Sequence, residues 1–192
     1  MKVVIDSSSL ISLSRYYLPF DRNQKLYDFI KSKIESGEIV IIDRVFRECS
    51  SFSKGIVIQS LDFLDDKSFL KSNKIPKKTD NLIAPAPQKF LRQLDAQFVN
   101  RVILRQRKLT DVEYENQKES FLNDADMKQI ILCLNYIQKG EETILVTEET
   151  ETSNDNKLFK KIPAICKELK IETLTLPKLI SRYQGVIDLD FK

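Results

Sequence analysis

Lys2-Val3-Val4-Ile5-Asp6-Ser7-Ser8-Ser9-Leu10-Ile11 is the stretch on which the reading of this chain turns. Its apolar residues are continuous, not alternating, which is the pattern of a strand buried on both faces of a parallel sheet. Asp6 closes the run, and a Ser-rich turn leads at once into further apolar residues. The pattern recurs at Thr143-Ile144-Leu145-Val146-Thr147, which ends in Glu148-Glu149. In open α/β sheets ligands bind outside the carboxyl ends of the strands. Two buried parallel strands that each end in an acid therefore predict a ligand site rich in carboxylates at that edge.

Working outward, residues 10–16 continue as a helix. Residues 24–36 form another, with Leu26, Phe29, Ile30 and Ile34 on one face and Gly37 as its stop. A short strand follows at 38–42. Asp43 is the expected N-cap of a helix carrying Val45, Phe46, Glu48 and Cys49. Residues 56–70 read as helical. Residues 71–80 are polar, basic and broken by Pro76, and Ala84-Pro85-Ala86-Pro87 extends this surface loop. The spacing of Leu91, Leu94, Phe98, Val102 and Leu109 predicts one long helix over 88–109, with Arg92, Arg101, Arg105, Arg107 and Lys108 on its other face.

Regular order then resumes. Asn123 or Asp124 caps a helix through 139, with Met127, Ile130, Ile131, Leu134 and Ile137 inward and Gly140 as its end. Strand 143–147, a polar loop at 152–156, helix 162–169 with Pro163 in its first turn, strand 171–176 and a helical turn at 178–183 complete the chain. This order predicts α/β architecture: a single domain over 1–192, a parallel sheet covered on both faces, and a mostly helical insert at about 50–122.

The 192 residues suffice for one domain with a sizeable core. A net charge of +3 does not by itself identify an anionic partner, so local clusters of charge matter more. No apolar run is long enough to span a bilayer, and the N-terminus reads as a strand, so a cytoplasmic location is expected. Cys49, Cys133 and Cys166 are scattered and read as buried thiols. There is no histidine. That excludes Ser-His-Asp and Cys-His triads and His-ligated zinc. Carboxylates, hydroxyls and Lys or Arg remain for chemistry.

A parallel sheet brings Asp6, Glu48, Asp124, Asp126, Glu148, Glu149 and Asp155 to one edge. Such a group repels itself unless a cation is present, and oxygen donors select a hard ion such as Mg²⁺ or Mn²⁺. Asp124 and Asp126 also suit a helix N-terminus, where acids are favoured. Ser7 and Ser8 read as turn formers, since no base stands ready to activate them.

The chain resembles PIN-domain ribonucleases over most of its length. V-V-I-D-S-S-S-L-I-S-L at 3–13 matches the family's strand-end Asp followed by a small hydroxylated residue. V-F-R-E at 45–48 matches its helical Glu, and N-D-A-D-M-K-Q-I-I-L at 123–132 its helix-opening Asp. L-V-T-E-E at 145–149 matches its Ser/Thr-x-Asp turn. K-L-F-K-K-I-P-A-I-C-K-E-L-K-I at 157–171 is similar to an uncharacterised bacterial PIN-like subfamily.

The resemblance implies a three-layer α/β/α sandwich and hydrolysis of RNA phosphodiesters dependent on Mg²⁺ or Mn²⁺. It also implies a toxin role, with RNA, a cognate antitoxin protein and a second copy of the chain as partners. Asp6, Asp126 and Glu149 would hold the cation, and Glu48 a second ion or its waters. Ser8, Thr147, Asp124 and Asp155 would support them, and Arg101, Arg105, Lys160 and Lys161 would contact the RNA backbone. The chain departs from the pattern in two places: Glu149 stands where the family has Asp, and the 50–122 region is longer than in minimal toxins of this type. Two rivals follow. One is the same fold binding RNA or an antitoxin without cutting. The other is a phosphoacceptor domain, in which Asp6, Thr147 and Lys178 mimic a receiver's acid, hydroxyl and Lys.

Overall fold

Continuous β-branched residues bury the first strand, β1 (Lys2–Ile5), past its half-exposed Lys2: Val3, Val4 and Ile5 are fully buried. Burying each is worth about 1.5–3 kcal/mol relative to exposure. The computed structural model describes residues 1–150 and 156–183. After β1 come α1 (Ser7–Ser12), α2 (Lys25–Glu35), the short β2 (Ile39–Val40) and α3 (Asp43–Ser51). The middle of the chain is helical: α4 (Ile56–Ser60), α5 (Lys67–Asn73), α6 (Pro87–Gln93), α7 (Arg101–Arg107) and α8 (Asp111–Leu122). Then follow α9 (Ala125–Gln138), β3 (Thr143–Val146), α10 (Ile162–Leu169), β4 (Glu172–Leu174) and α11 (Leu176–Arg182).

The sheet is entirely parallel, in the order β2-β1-β3-β4. Helices enclose it as a three-layer α/β/α sandwich, as a sheet apolar on both faces requires. Strand β1 pairs with β3 in the register Val3↔Ile144 and Ile5↔Val146. The ladder runs on past the strands, with the Asp6 N–H donating to the Val146 carbonyl at 2.9 Å and the Thr147 N–H to Leu174 at 3.0 Å. The chain winds from β1 outward to β2, then returns to the other side of β1 as β3. The crevice between their carboxyl ends is therefore the sheet's topological switch point, where open α/β sheets bind ligands. Asp6 and Thr147–Glu149 stand there. The apolar face of α9 packs across both strands, with Met127, Ile130 and Cys133 fully buried.

Several elements differ from the sequence expectation, each for a local reason. Asp43 is the first residue of α3 and not its N-cap, which is Ile42. Its carboxylate instead holds Thr79, accepting from the hydroxyl at 2.5 Å and the N–H at 3.3 Å. The helix expected over 56–70 breaks at Leu61, and Asp66 caps α5 through the N–H groups of Ser68 and Phe69.

The long helix expected over 88–109 is two helices. Val99 is extended and bridges Phe159, and the Asn100 side chain accepts from the Val102 and Ile103 N–H groups to start α7. Val102, expected inward, is 63% exposed. Ile137, also expected inward, lies on the exposed side of α9. Helix α8, which the apolar spacing did not predict, opens with a capping box between Thr110 and Glu113.

Candidate functional site

Asp6 is the N-cap of α1, so the turn that ends β1 also fixes its carboxylate. One oxygen accepts from the Ser8 N–H at 3.3 Å, the Ser8 hydroxyl at 2.6 Å and the Thr147 hydroxyl at 3.2 Å. The other accepts from the Gln129 amide at 3.0 Å. The Ser8 hydroxyl in turn accepts the Glu148 N–H at 3.0 Å, and the Thr147 hydroxyl accepts the Glu149 N–H at 3.2 Å. Ser8 and Thr147 thus lock the ends of β1 and β3 to one carboxylate.

The two glutamates at the end of β3 diverge. Glu148 turns away to accept from the Ser9 hydroxyl at 3.2 Å and from the Leu176 N–H, at the start of α11, at 2.7 Å. Glu149 turns toward α10, accepting from the Ile162 N–H at 3.4 Å, with the Lys161 ammonium 4.0 Å away.

Asp124 and Asp126 occupy the start of α9. Asp124 is the N-cap, bound to the Met127 N–H at 2.9 Å. Burial and the charge of Glu48 hold its carboxyl up at about 6, against that backbone bond and the pull of Lys157 and Arg44. Asp126 is pushed up to about 8 by burial, then by the charges of Asp124, Asp6 and Glu149. Glu48, on the solvent-facing side of α3, is raised by partial burial and by Asp6, with a hydrogen bond from Ser7 opposing. The acids that follow β1 and β3 and those on α3 and at the start of α9 therefore act on one another through space. Asp155 lies outside the described residues.

A cleft of about 320 Å³ opens over Asp124 and Asp126. It is also lined by Arg107, Lys157, Lys160 and Lys161, with Phe121 stacked on Phe159 at 4.2 Å and 3°. Arg101 and Arg105 stand exposed on α7 and do not line this cleft, whereas Lys160 and Lys161 do. Arg107, at the end of the same helix, does line it.

Sequence reasoning missed Gln129. It lies one helical turn beyond Asp126 on α9, is fully buried, and reaches Asp6 across 123 residues. Its own carbonyl oxygen is sealed from solvent without a donor. The amide orientation is fixed, because a flip would set two acceptors against each other.

The donor set is all oxygen, which fits a hard divalent ion, and the like charges around Asp126 call for a cation. Among the described residues, no three acidic or Cys side chains form a ready metal-binding group. A Mg²⁺ ion that keeps most of its waters needs only one or two direct carboxylates.

A parallel α/β/α sandwich with a carboxylate edge and a cleft lined by acidic and basic residues is the class of protein defined by these features. The chain belongs to the family described as Domain of unknown function (DUF4411), whose model matches residues 72–186, more than half of its length. The match includes Asp124, Asp126, Gln129, Thr147 and Glu149, and begins beyond Asp6 and Glu48. No curated protein and no solved structure matches the chain.

Proposed function

We propose that this protein is a PIN-like, Mg²⁺- or Mn²⁺-dependent endoribonuclease. The observation that carries the reading is that Asp6 and Glu149, at the ends of β1 and β3, act on Asp126 at the start of α9, and that Asp126 and Asp124 line a cleft together with Arg107, Lys157, Lys160 and Lys161. Asp6, Asp126 and Glu149 hold the cation, and Glu48 holds a second ion or its waters. When bound, the cation supplies an activated water and offsets the charge that develops at phosphorus. Ser8, Thr147 and Gln129 keep Asp6 in place. Arg107, Lys157, Lys160 and Lys161 draw the phosphate backbone against the acids. Among the described residues no helix is long and apolar enough to cross a membrane. A cytoplasmic location, a toxin role with a cognate antitoxin, and pairing of two copies belong to the same reading.

The test is cleavage of mixed RNA with Mn²⁺, with EDTA, and by Asp6→Asn with Mn²⁺. Cleavage that needs the ion and vanishes in the variant supports the nuclease. Silence of both proteins, with no Mn²⁺ uptake by calorimetry, refutes it.

A second reading, a module that binds RNA or an antitoxin without cutting, is favoured by one observation: no ready group of three acids stands among the described residues. Mn²⁺ and RNA binding by the wild type without cleavage of any RNA would select it.

A further inference from the structure

Lys128 is 6% exposed, and its ammonium has no hydrogen bond or ion pair among the described residues. The charge pressing on it most is another cation, Arg44, in the first turn of α3. Arg44 is itself short of partners: its Nε is sealed from solvent with no acceptor, and its guanidinium comes only to 4.0 Å from the exposed Asp80. The other acid nearby, Asp43, is committed to Thr79. Two neighbouring cations, both largely buried (the Arg44 side chain is 18% exposed) and each short of acceptors, are costly unless an anion joins them.

Beside them lies a cavity of about 480 Å³ lined by Asp43, Lys71, Lys74, Lys77, Lys78 and Asp80. The four lysines are exposed. Their loop is docked rigidly on the sheet's edge: Lys77 bridges Ile42 in parallel, its N–H donating to the Ile41 carbonyl at 2.8 Å and its carbonyl accepting the Asp43 N–H at 2.9 Å. On the other side, Lys128 follows Asp124 by four residues on α9, and the Arg44 charge reaches Asp124. Arg44 therefore connects the two places: it reaches Asp80, which lines the lysine cavity, and its charge acts on Lys128 and on Asp124, which lines the acidic cleft.

We propose that Arg44 and Lys128 form a phosphate subsite that holds a backbone phosphate of the RNA next to the acidic cleft, with the 71–78 lysines steering the strand outward. A guanidinium fork and an ammonium together match the several oxygens of a phosphate. Naming RNA as the ligand rests on the nuclease reading; the anion subsite does not.

The experiment measures two probes in EDTA, where no cleavage occurs: a labelled single-stranded RNA, and inorganic pyrophosphate followed by thermal stabilisation. Arg44→Ala and Lys128→Met should each weaken RNA binding roughly tenfold at low salt and reduce the salt slope by about 1. Arg44→Lys should recover part of the loss. Loss with both probes marks a general phosphate subsite, and loss with RNA alone ties it to the backbone of a strand.

Folded variants that bind both probes as the wild type does, with unchanged slope, overturn the proposal. Should that wild type also cleave RNA, the nuclease reading survives without the subsite. If the wild type cleaves nothing yet the variants lose pyrophosphate, the subsite stands and the nuclease reading fails.

Discussion

Asp6 and Asp126 act on each other at the carboxyl edge of the sheet and are built in opposite ways. Asp6 is saturated with donors on one oxygen, two from Ser8 and one from Thr147, while Gln129, and Ser7 at 3.5 Å, reach the other. Asp126 is surrounded by other acids, and burial with that repulsion keeps its carboxyl protonated near neutral pH. The difference teaches that an acidic cluster need not be uniformly charged. One carboxylate can be placed firmly by its donors while its neighbour waits for a counter-charge.

The largest expected effect breaks the saturated side. Asp6→Ala leaves the Ser8, Thr147 and Gln129 donors facing a void, and each unpaired buried donor costs about 1–3 kcal/mol. Chemical denaturation should show a loss of several kcal/mol, and RNA cleavage with Mn²⁺ should disappear. If the variant is as stable as the wild type, the donor set around Asp6 is not what joins β1 to β3.

Asp126 should respond with the opposite sign. A carboxyl whose folded pKa is raised binds more protons folded than unfolded between about pH 4 and pH 8, so its contribution to stability is present at low pH and lost as pH rises toward 8. Asp126→Asn removes that loss. The variant should be more stable than the wild type at pH 8, by up to about 5 kcal/mol, and nearly equal to it at pH 4. Mn²⁺ should narrow the gap at pH 8 by stabilising only the wild type. A constant difference across this pH range would show that Asp126 is not under repulsion.

Gln129 links the two sides, since it shares a face of α9 with Asp126 and donates to Asp6. Gln129→Met keeps the volume, removes the bond to Asp6 and also removes the sealed, unpaired carbonyl. The two changes in stability oppose each other and should leave a net effect within about 1 kcal/mol. Mn²⁺ affinity should fall by about 10-fold, because partners that orient a ligand are worth that much. Unchanged Mn²⁺ affinity would assign Gln129 to the core alone.

These contrasts were only half legible in the sequence. The strand ends could be read because a continuous β-branched run stopped by an acid suits a buried parallel strand and little else. The start of α9 could be read because Asp124 and Asp126 suit both a helix N-terminus and a cation. Gln129, Lys128 and Arg44 could not, because a polar residue within a helical pattern looks solvated until a partner more than a hundred residues away, or none at all, is found for it. Asp43 read as a cap because its partner Thr79 lies 36 residues further on. The break at Val99–Asn100 was hidden for a related reason. Apolar spacing ran on across it, and the bridge to Phe159 that decides it is a tertiary contact.

That break offers the smallest and sharpest test. The Asn100 N–H donates to the Leu158 carbonyl and the Lys160 N–H to the Phe98 carbonyl, both at 2.8 Å, so the segment carrying Lys160 and Lys161 is fastened to the start of α7. The Asn100 side chain holds that start in place by capping Val102 and Ile103. Asn100→Ala should cost about 1 kcal/mol, the usual value of a lost N-cap. The cost should fall on the side of Asp126 alone: hydrogen exchange at the Lys160 amide should accelerate, while the Asp6 amide, buried in the ladder to Val146, should keep its protection. Equal acceleration at both amides would mean that the basic wall and the saturated carboxylate open as one unit, and the contrast between the two aspartates would then be one of chemistry without any difference in rigidity.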